Sequence, residues 1–175
     1  MRKVRFSVAA SLDGYIAGPS GEFDWIPEDP TVDFAEIFAG VDTVLLGRRT
    51  YEITRNGPAW AAGTRVYVFS RTLRAEDHPD VTVVAENAGA VVAALRQEVG
   101  GHIWLFGGGD LFGSLLAEGQ VDTVEVTVVP ILLGGGVPLM PPGAPRTLLA
   151  LTRTHAYPSG MVSLTYSVQR DEGSD

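Results

Sequence analysis

The sequence has 175 residues, 45% of them hydrophobic and 9% aromatic, with a mean hydropathy of +0.14 and a formal charge of −8. A chain of this length builds one substantial core, and no run reaches the ~18 uninterrupted apolar residues of a membrane span. The acidic balance opposes general binding to nucleic acid or an anionic membrane, and the lack of cysteine excludes disulfides, thiolate nucleophiles, iron–sulfur clusters and cysteine-ligated zinc.

The first element is a strand over residues 3–11. Its opening, MRKVRFSVAAS, begins like a signal peptide, but Arg5 and Asp13 break the apolar run, so we read a strand and expect a cytoplasmic protein. Further strands are expected at 43–47, 64–70, 81–85, 102–107 and 123–132, where Val, Ile, Leu, Thr and aromatic residues concentrate. Helical patterns fall between them at 31–39, 49–55, 87–99 and 110–118. Such alternation predicts a mostly parallel α/β sheet covered on both faces. At the C-terminus, 147–157 and 161–170 flank the turn sequence YPSG and predict an antiparallel hairpin at the sheet edge, followed by a frayed acidic tail, DEGSD. No repeat or linker divides the chain, so residues 1–175 read as one domain. The Pro- and Gly-rich segments 18–30 and 134–145 are long for connectors; each is an active-site or interface loop, or surface decoration.

Three strand-to-helix junctions carry the chemistry. Gly107-Gly108-Gly109-Asp110-Leu111 passes from a strand into a helix, where glycines admit close approach and a helix start offers unpaired N–H groups. The stretch is not a GxGxxG fingerprint, because Phe112 fills the last required position. Alone it is equally a tight turn, and Asp110 would repel phosphate unless it turned away to cap the helix. Gly47, Arg48, Arg49 and Thr50 stand at a second junction, and Ser70 and Arg71 end a third strand. If these strands are parallel, the three junctions share the sheet edge at which open α/β folds bind ligands, and together they favour a nucleotide over solvated surface arginines.

In this order the motifs SLDGYIAGPSGEFDWI, LLGRRTYE, VFSRTL, LFGGGDLFGSLL and VDTVEVTVVPILLGGGVPLM resemble the dihydrofolate reductase-like superfamily. They are most similar to the reductase domain of the bifunctional riboflavin-biosynthesis deaminase/reductase. The resemblance implies a three-layer dihydrofolate reductase-like fold, NADPH as cofactor and a homodimer. It assigns the phosphate turn to Gly47, Arg48 and Thr50, with Arg48 reading the adenosine 2′-phosphate, and the second adenosine-side loop to Ser70 and Arg71. The diphosphate turn falls to Gly107, Gly108, Gly109, Asp110 and Leu111. Ala9 and Ile16 fall where backbone groups hold the nicotinamide carboxamide, and Trp25 in the loop over the reaction centre. Asp33 is the nearest match to the carboxylate that holds a pterin. The sequence departs where Gly107 replaces an acidic residue common in riboflavin-pathway reductases.

The residues themselves leave several roles open. Asp13 and Asp33 are catalytic candidates for orienting a heterocycle or relaying a proton, or else a turn residue and a helix N-terminal charge. Glu125, in a strand of valines, projects into the ligand cleft as a substrate contact or out to water. Trp25, like Phe23 and Trp60, stacks on a planar substrate or anchors its loop. The three histidines have no metal-ligand spacing, Ser114 lacks a GxSxG elbow, and Lys3, the only lysine, offers neither a P-loop nor a Schiff base. The expected function is an NADPH-dependent reductase of a small conjugated heterocycle, of the 5-amino-6-(5-phosphoribosylamino)uracil reductase or dihydrofolate reductase type. The alternative is a nucleotide- or flavin-binding module without catalysis.

Overall fold

A computed structural model describes residues 1–57 and 60–170; the tail expected at 171–175 lies outside the described residues. Its centre is an eight-stranded sheet of order β5-β4-β3-β6-β1-β7-β10-β9. The strands are β1 (Val4–Ser11), β3 (Val41–Gly47), β4 (Arg65–Phe69), β5 (Thr82–Val84), β6 (His102–Gly107), β7 (Thr123–Val129), β9 (Leu149–Ala156) and β10 (Val162–Val168). The first six run parallel, and β10 and β9 close the edge as the antiparallel hairpin the YPSG turn implies. Two short strands, β2 (Tyr15–Ala17) and β8 (Val137–Pro138), form a separate ladder.

Alternation along the strands divides the core. Val4, Phe6 and Ala10 of β1 and Ile103 and Leu105 of β6 turn to one face, where α3 (Ala88–Gln97) adds Val92 and Leu95, and α4 (Gly109–Ala117) adds Phe112, Leu115 and Leu116. The Phe6 and Phe112 rings stack at 3.8 Å. On the opposite face Val44, Leu46, Val66, Val68 and Trp104 pack with Tyr51 of α2 (Arg48–Thr54) and with Trp60. Each large side chain removed from water contributes about 1.5–3 kcal/mol. Two buried faces also explain why β3 reads as an almost unbroken apolar run.

Some boundaries move for physical reasons. The strand expected over 123–132 ends at Val129, because Pro130 has no N–H to continue the ladder. The helix expected over 31–39 is α1 (Phe34–Phe38), started by Asp33 and followed by Gly40 at φ +71°. No helix among the described residues is long and apolar enough to cross a membrane.

Candidate cofactor site

The fold brings the three junctions together. All six parallel strands end on one edge, and the chain leaves β3 and β6, which are neighbours, toward opposite faces: α2 packs through Tyr51 on one and α4 through Phe112 on the other. A crevice opens at such a reversal. There Gly47 and the triple glycine meet, since a Cβ on Gly47 would stand 3.5 Å from Gly108 N and 4.0 Å from Leu111 Cβ. A Cβ on Gly108 would lie 3.5 Å from the Thr50 hydroxyl and 4.0 Å from Ile16 Cδ1, which adds β2 to the same wall. Gly108 is the N-cap of α4 and makes no side-chain cap, so the first N–H groups of that helix face the crevice without a side-chain partner. The Gly107–Gly108 peptide is cis, and Gly107 has φ +121°, a conformation that disfavours any side chain. Asp110 is exposed in the first turn and does not cap the helix.

The three glycines differ in what they face. Gly108 looks toward the crevice, whereas a Cβ on Gly109 would come within 2.7 Å of the Pro138 carbonyl and 3.0 Å of that of Leu139. Gly109 therefore serves the packing of β8 on α4.

The cations sit along the same edge. Arg48 lies 3.9 Å from Glu52, one turn on in α2, both half-exposed, while Arg49 and Arg71 have no ion-pair partner among the described residues. Tyr51 of α2 shares a 3.0 Å hydrogen bond with His78, which ties α2 to the segment after β4. Ser70 is buried, and its Oγ accepts from Thr72 N (3.2 Å) and Leu73 N (3.0 Å). It thus shapes the loop that carries Arg71. Between the ends of β4 and β5 lies an open cavity of about 450 Å³ lined by Ser70, Arg71, Glu86, Asn87 and their neighbours. Asn87, at φ 56°, precedes the first turn of α3. This fourth junction is harder to see in the sequence because it has neither the arginines of the junctions after β3 and β4 nor the glycine run after β6, although a strand pattern running directly into a helical one is a sufficient signal.

Beside the crevice, the face opposite α3 and α4 carries the remaining candidates. Ala9 pairs with Thr127 near the end of β1. Phe38 of α1 packs 4.6 Å from Trp104, whose ring meets Phe106 at 4.7 Å; Trp60 stands edge-on to both, as an anchor of the core. Trp25 donates Nε1–H to the Glu22 carbonyl at 3.1 Å within its own loop. Glu125 reaches neither a free cleft nor open water: Arg5 donates to both its oxygens, at 2.8 and 3.0 Å, and the pair is largely buried.

Both aspartates serve the backbone. Asp33 Oδ1 accepts from Glu36 N at 3.0 Å as the N-cap of α1. Asp13 accepts from Ser11 Oγ (2.6 Å), Leu133 N (3.1 Å) and Gly134 N (2.7 Å), bonds that hold its carboxyl below the usual range. Asp13 takes the turn role that the sequence left open beside the catalytic one: its lone pairs hold the loop before β8. Asp33 takes the helix-start role that the sequence left open.

The chain matches the model of the RibD C-terminal domain over residues 2–163. It belongs to the RibD C-terminal domain family.

Membership makes the protein an oxidoreductase of the RibD reductase type. The uncharacterized protein YwjB of Bacillus subtilis is 35% identical over 161 residues, 89% of this chain and 92% of that one. A protein of Shewanella sp. PV-4 assigned to riboflavin biosynthesis superposes with a TM-score of 0.82 at 28% identity, covering 97% of this chain and all of the other. Dihydrofolate reductase from Enterococcus faecalis, solved with NADP(H), shares the fold at 18% identity and a TM-score of 0.69, covering 96% of this chain and 97% of its own. The RibD-type reductase relationship drawn from the motifs and the dihydrofolate reductase-like α/β fold are thus both established.

Proposed function

We propose that the protein is an NADPH-dependent reductase of a small conjugated heterocycle of the pyrimidine or pteridine class. The observation that carries this reading is the meeting of Gly47–Thr50 with Gly107–Leu111 on the sheet edge that also bears Arg71. The donor set fits a dinucleotide: N–H groups at the start of α4 and the Thr50 hydroxyl suit the diphosphate, and the bare Cα of Gly108 leaves the room that a Cβ would fill. Arg48, Arg49 and Arg71 suit the 2′-phosphate, the cavity beside Ser70 and Asn87 the adenosine, and the backbone of Ala9 and Ile16 the carboxamide. Reduced nicotinamide, when bound, supplies hydride. The chain's own contribution is alignment: the aromatic cluster of Phe38, Trp104 and Phe106 offers the heterocycle an apolar wall, and the 18–30 segment keeps water from it.

We further propose a cytoplasmic homodimer. The edge strand β9 leaves Leu149 and Leu151 exposed, and an unpaired apolar edge strand favours covering.

Fluorescence titration with both nicotinamide cofactors tests the cofactor assignment. Arg48→Ala should weaken NADPH binding by about 10- to 150-fold, corresponding to roughly 1.5–3 kcal/mol, and spare NADH. Equal losses for both cofactors would refute the role of Arg48, and NADPH binding without oxidation of any pterin or aminopyrimidine would favour a non-catalytic module.

A further inference from the structure

The charges of the molecule are divided between its two candidate subsites. Along the edge of β3, β4 and β5 stand Arg48, Arg49 and Arg71, with only Glu52, at 3.9 Å from Arg48, as an ionic partner among the described residues. On the other side of the aromatic wall, over β1, β7, β10 and β9, the guanidiniums of Arg5 and Arg153 are already matched. Arg5 of β1 is held by Glu125 of β7 through two hydrogen bonds, and the side chains are only 22% and 14% exposed. Glu125 stands opposite Thr165 of β10, and Thr165 stands opposite Arg153 of β9, so all three side chains point to the same side. Arg153 in turn donates to Glu36 of α1 at 2.8 Å, and its proton is held more tightly because of Glu36 first and Glu125 more weakly. The result is an alternating row, Arg5, Glu125, Arg153, Glu36, in which each of the two guanidiniums has its carboxylate.

The strap above this row adds no cation. Residues 18–39 contain Glu22, Asp24, Glu28, Asp29, Asp33 and Glu36 and neither lysine nor arginine. Its placement over the face is set at three points: Asp29 accepts from Ser159 N in the β9–β10 turn, Glu36 pairs with Arg153, and Phe38 packs on Trp104. A phosphomonoester carries about −1.5 to −2 charges at neutral pH and binds where charge-assisted donors replace its water. Here it would find donors already occupied and carboxylates nearby, whereas a planar neutral or cationic ring meets an aromatic wall and acceptor oxygens.

From this division we infer that the substrate is a phosphate-free heterocycle, neutral or cationic, and that phosphate recognition in this protein is confined to the cofactor edge. The inference rests on the reductase reading above and narrows it: the phosphoribosyl form of an aminopyrimidine is a poor ligand, and its dephosphorylated form or an unphosphorylated pteridine is preferred.

The test uses 5-amino-6-ribosylaminouracil with and without its 5′-phosphate. An NADPH titration is run first, followed by calorimetric binding of each ligand to NADP+-loaded protein and initial rates of NADPH oxidation. The phosphate-free member should bind at least about 10-fold more tightly and show the higher kcat/KM, and the preference should shrink as salt screens the carboxylates. Glu125→Gln, which leaves Arg5 without its anion, should raise affinity for the phosphorylated member; Glu36→Gln, on the surface and releasing Arg153, should act in the same direction if the first variant folds poorly. Equal or tighter binding of the phosphorylated ligand by the unaltered protein would overturn the inference, as would binding of neither ligand by protein that takes up the cofactor. Failure of NADPH itself to bind would instead overturn the reductase reading, and this inference with it.

Discussion

The Asp13 carboxylate accepts a 2.7 Å hydrogen bond from Gly134 N–H, across more than a hundred residues of sequence. With the companion bond from Leu133 N, this joins the β1–β2 turn to the loop before β8. SLDG and PILLGGG, the two most distinctive motifs of the chain, are therefore halves of one contact. Asp13→Ala removes the acceptor and leaves both N–H groups to water, so hydrogen exchange at 131–138 and at β2 should quicken while the central sheet stays protected. Since Ile16 of β2 borders the Gly108 cradle, NADPH affinity should fall as well. Unchanged exchange at Leu133 and Gly134 would show that the carboxylate does not hold the loop.

Gly108 and Gly109 are neighbours with opposite expectations. Alanine at 108 meets only ordinary contacts, so the variant should fold normally, yet its methyl group occupies the space before Thr50 and should weaken NADPH binding. Alanine at 109 meets the Pro138 carbonyl at 2.7 Å and should destabilise the fold by about 1–3 kcal/mol, as overpacking of a close backbone contact does. Thermal melts and cofactor titrations on the two variants separate the effects; the reverse pattern would mean that the cradle is formed by Gly109.

The parts of this fold that could be read in advance are those with enough residues to show a period. The β6–α4 passage was legible because His102–Gly107 and Gly109–Ala117 differ in pattern and glycines mark the change. The ladder of β2 and β8 was not, because three and two residues carry no period and the pairing depends on Asp13 and on the close approach of Gly136 to β2. Arg48, Arg49 and Arg71 could be gathered onto one edge by assuming parallel strands. The partner of Glu125 could not be foreseen, since Arg5 lies 120 residues away and becomes its neighbour only when β1 and β7 pair. Asp33 had two open readings, and the first turn of α1 supplies the geometry of one of them, the helix start.

Helix α1 offers a direct measure of its cap. Asp33→Ala leaves the Glu36 N–H without its acceptor and should cost about 0.5–2 kcal/mol of stability. Because α1 presents Phe38 to Trp104 and Glu36 to Arg153, substrate KM should rise with little change in kcat. A large fall in kcat at unchanged stability would restore Asp33 to a chemical role.

The strap responds to acid through Asp29. Hydrogen bonds from Ser159 and Thr31 hold its carboxyl at about 2, below the ordinary 3.8. A carboxyl depressed by folding contributes stability that is present above its unfolded value and disappears as pH falls through the folded one, so the contribution is lost between about pH 4 and about pH 2. The proton must displace a bond to Ser159 at the β9–β10 turn, and the strap should lift from that turn before the sheet melts. Asp29→Asn removes the titration. The variant should begin with a looser strap near neutral pH, seen as faster exchange around Thr31 and Ser159, and should then lose less stability than the unaltered protein over the acid range. Parallel acid profiles for the two proteins would show that Asp29 does not couple the strap to the hairpin.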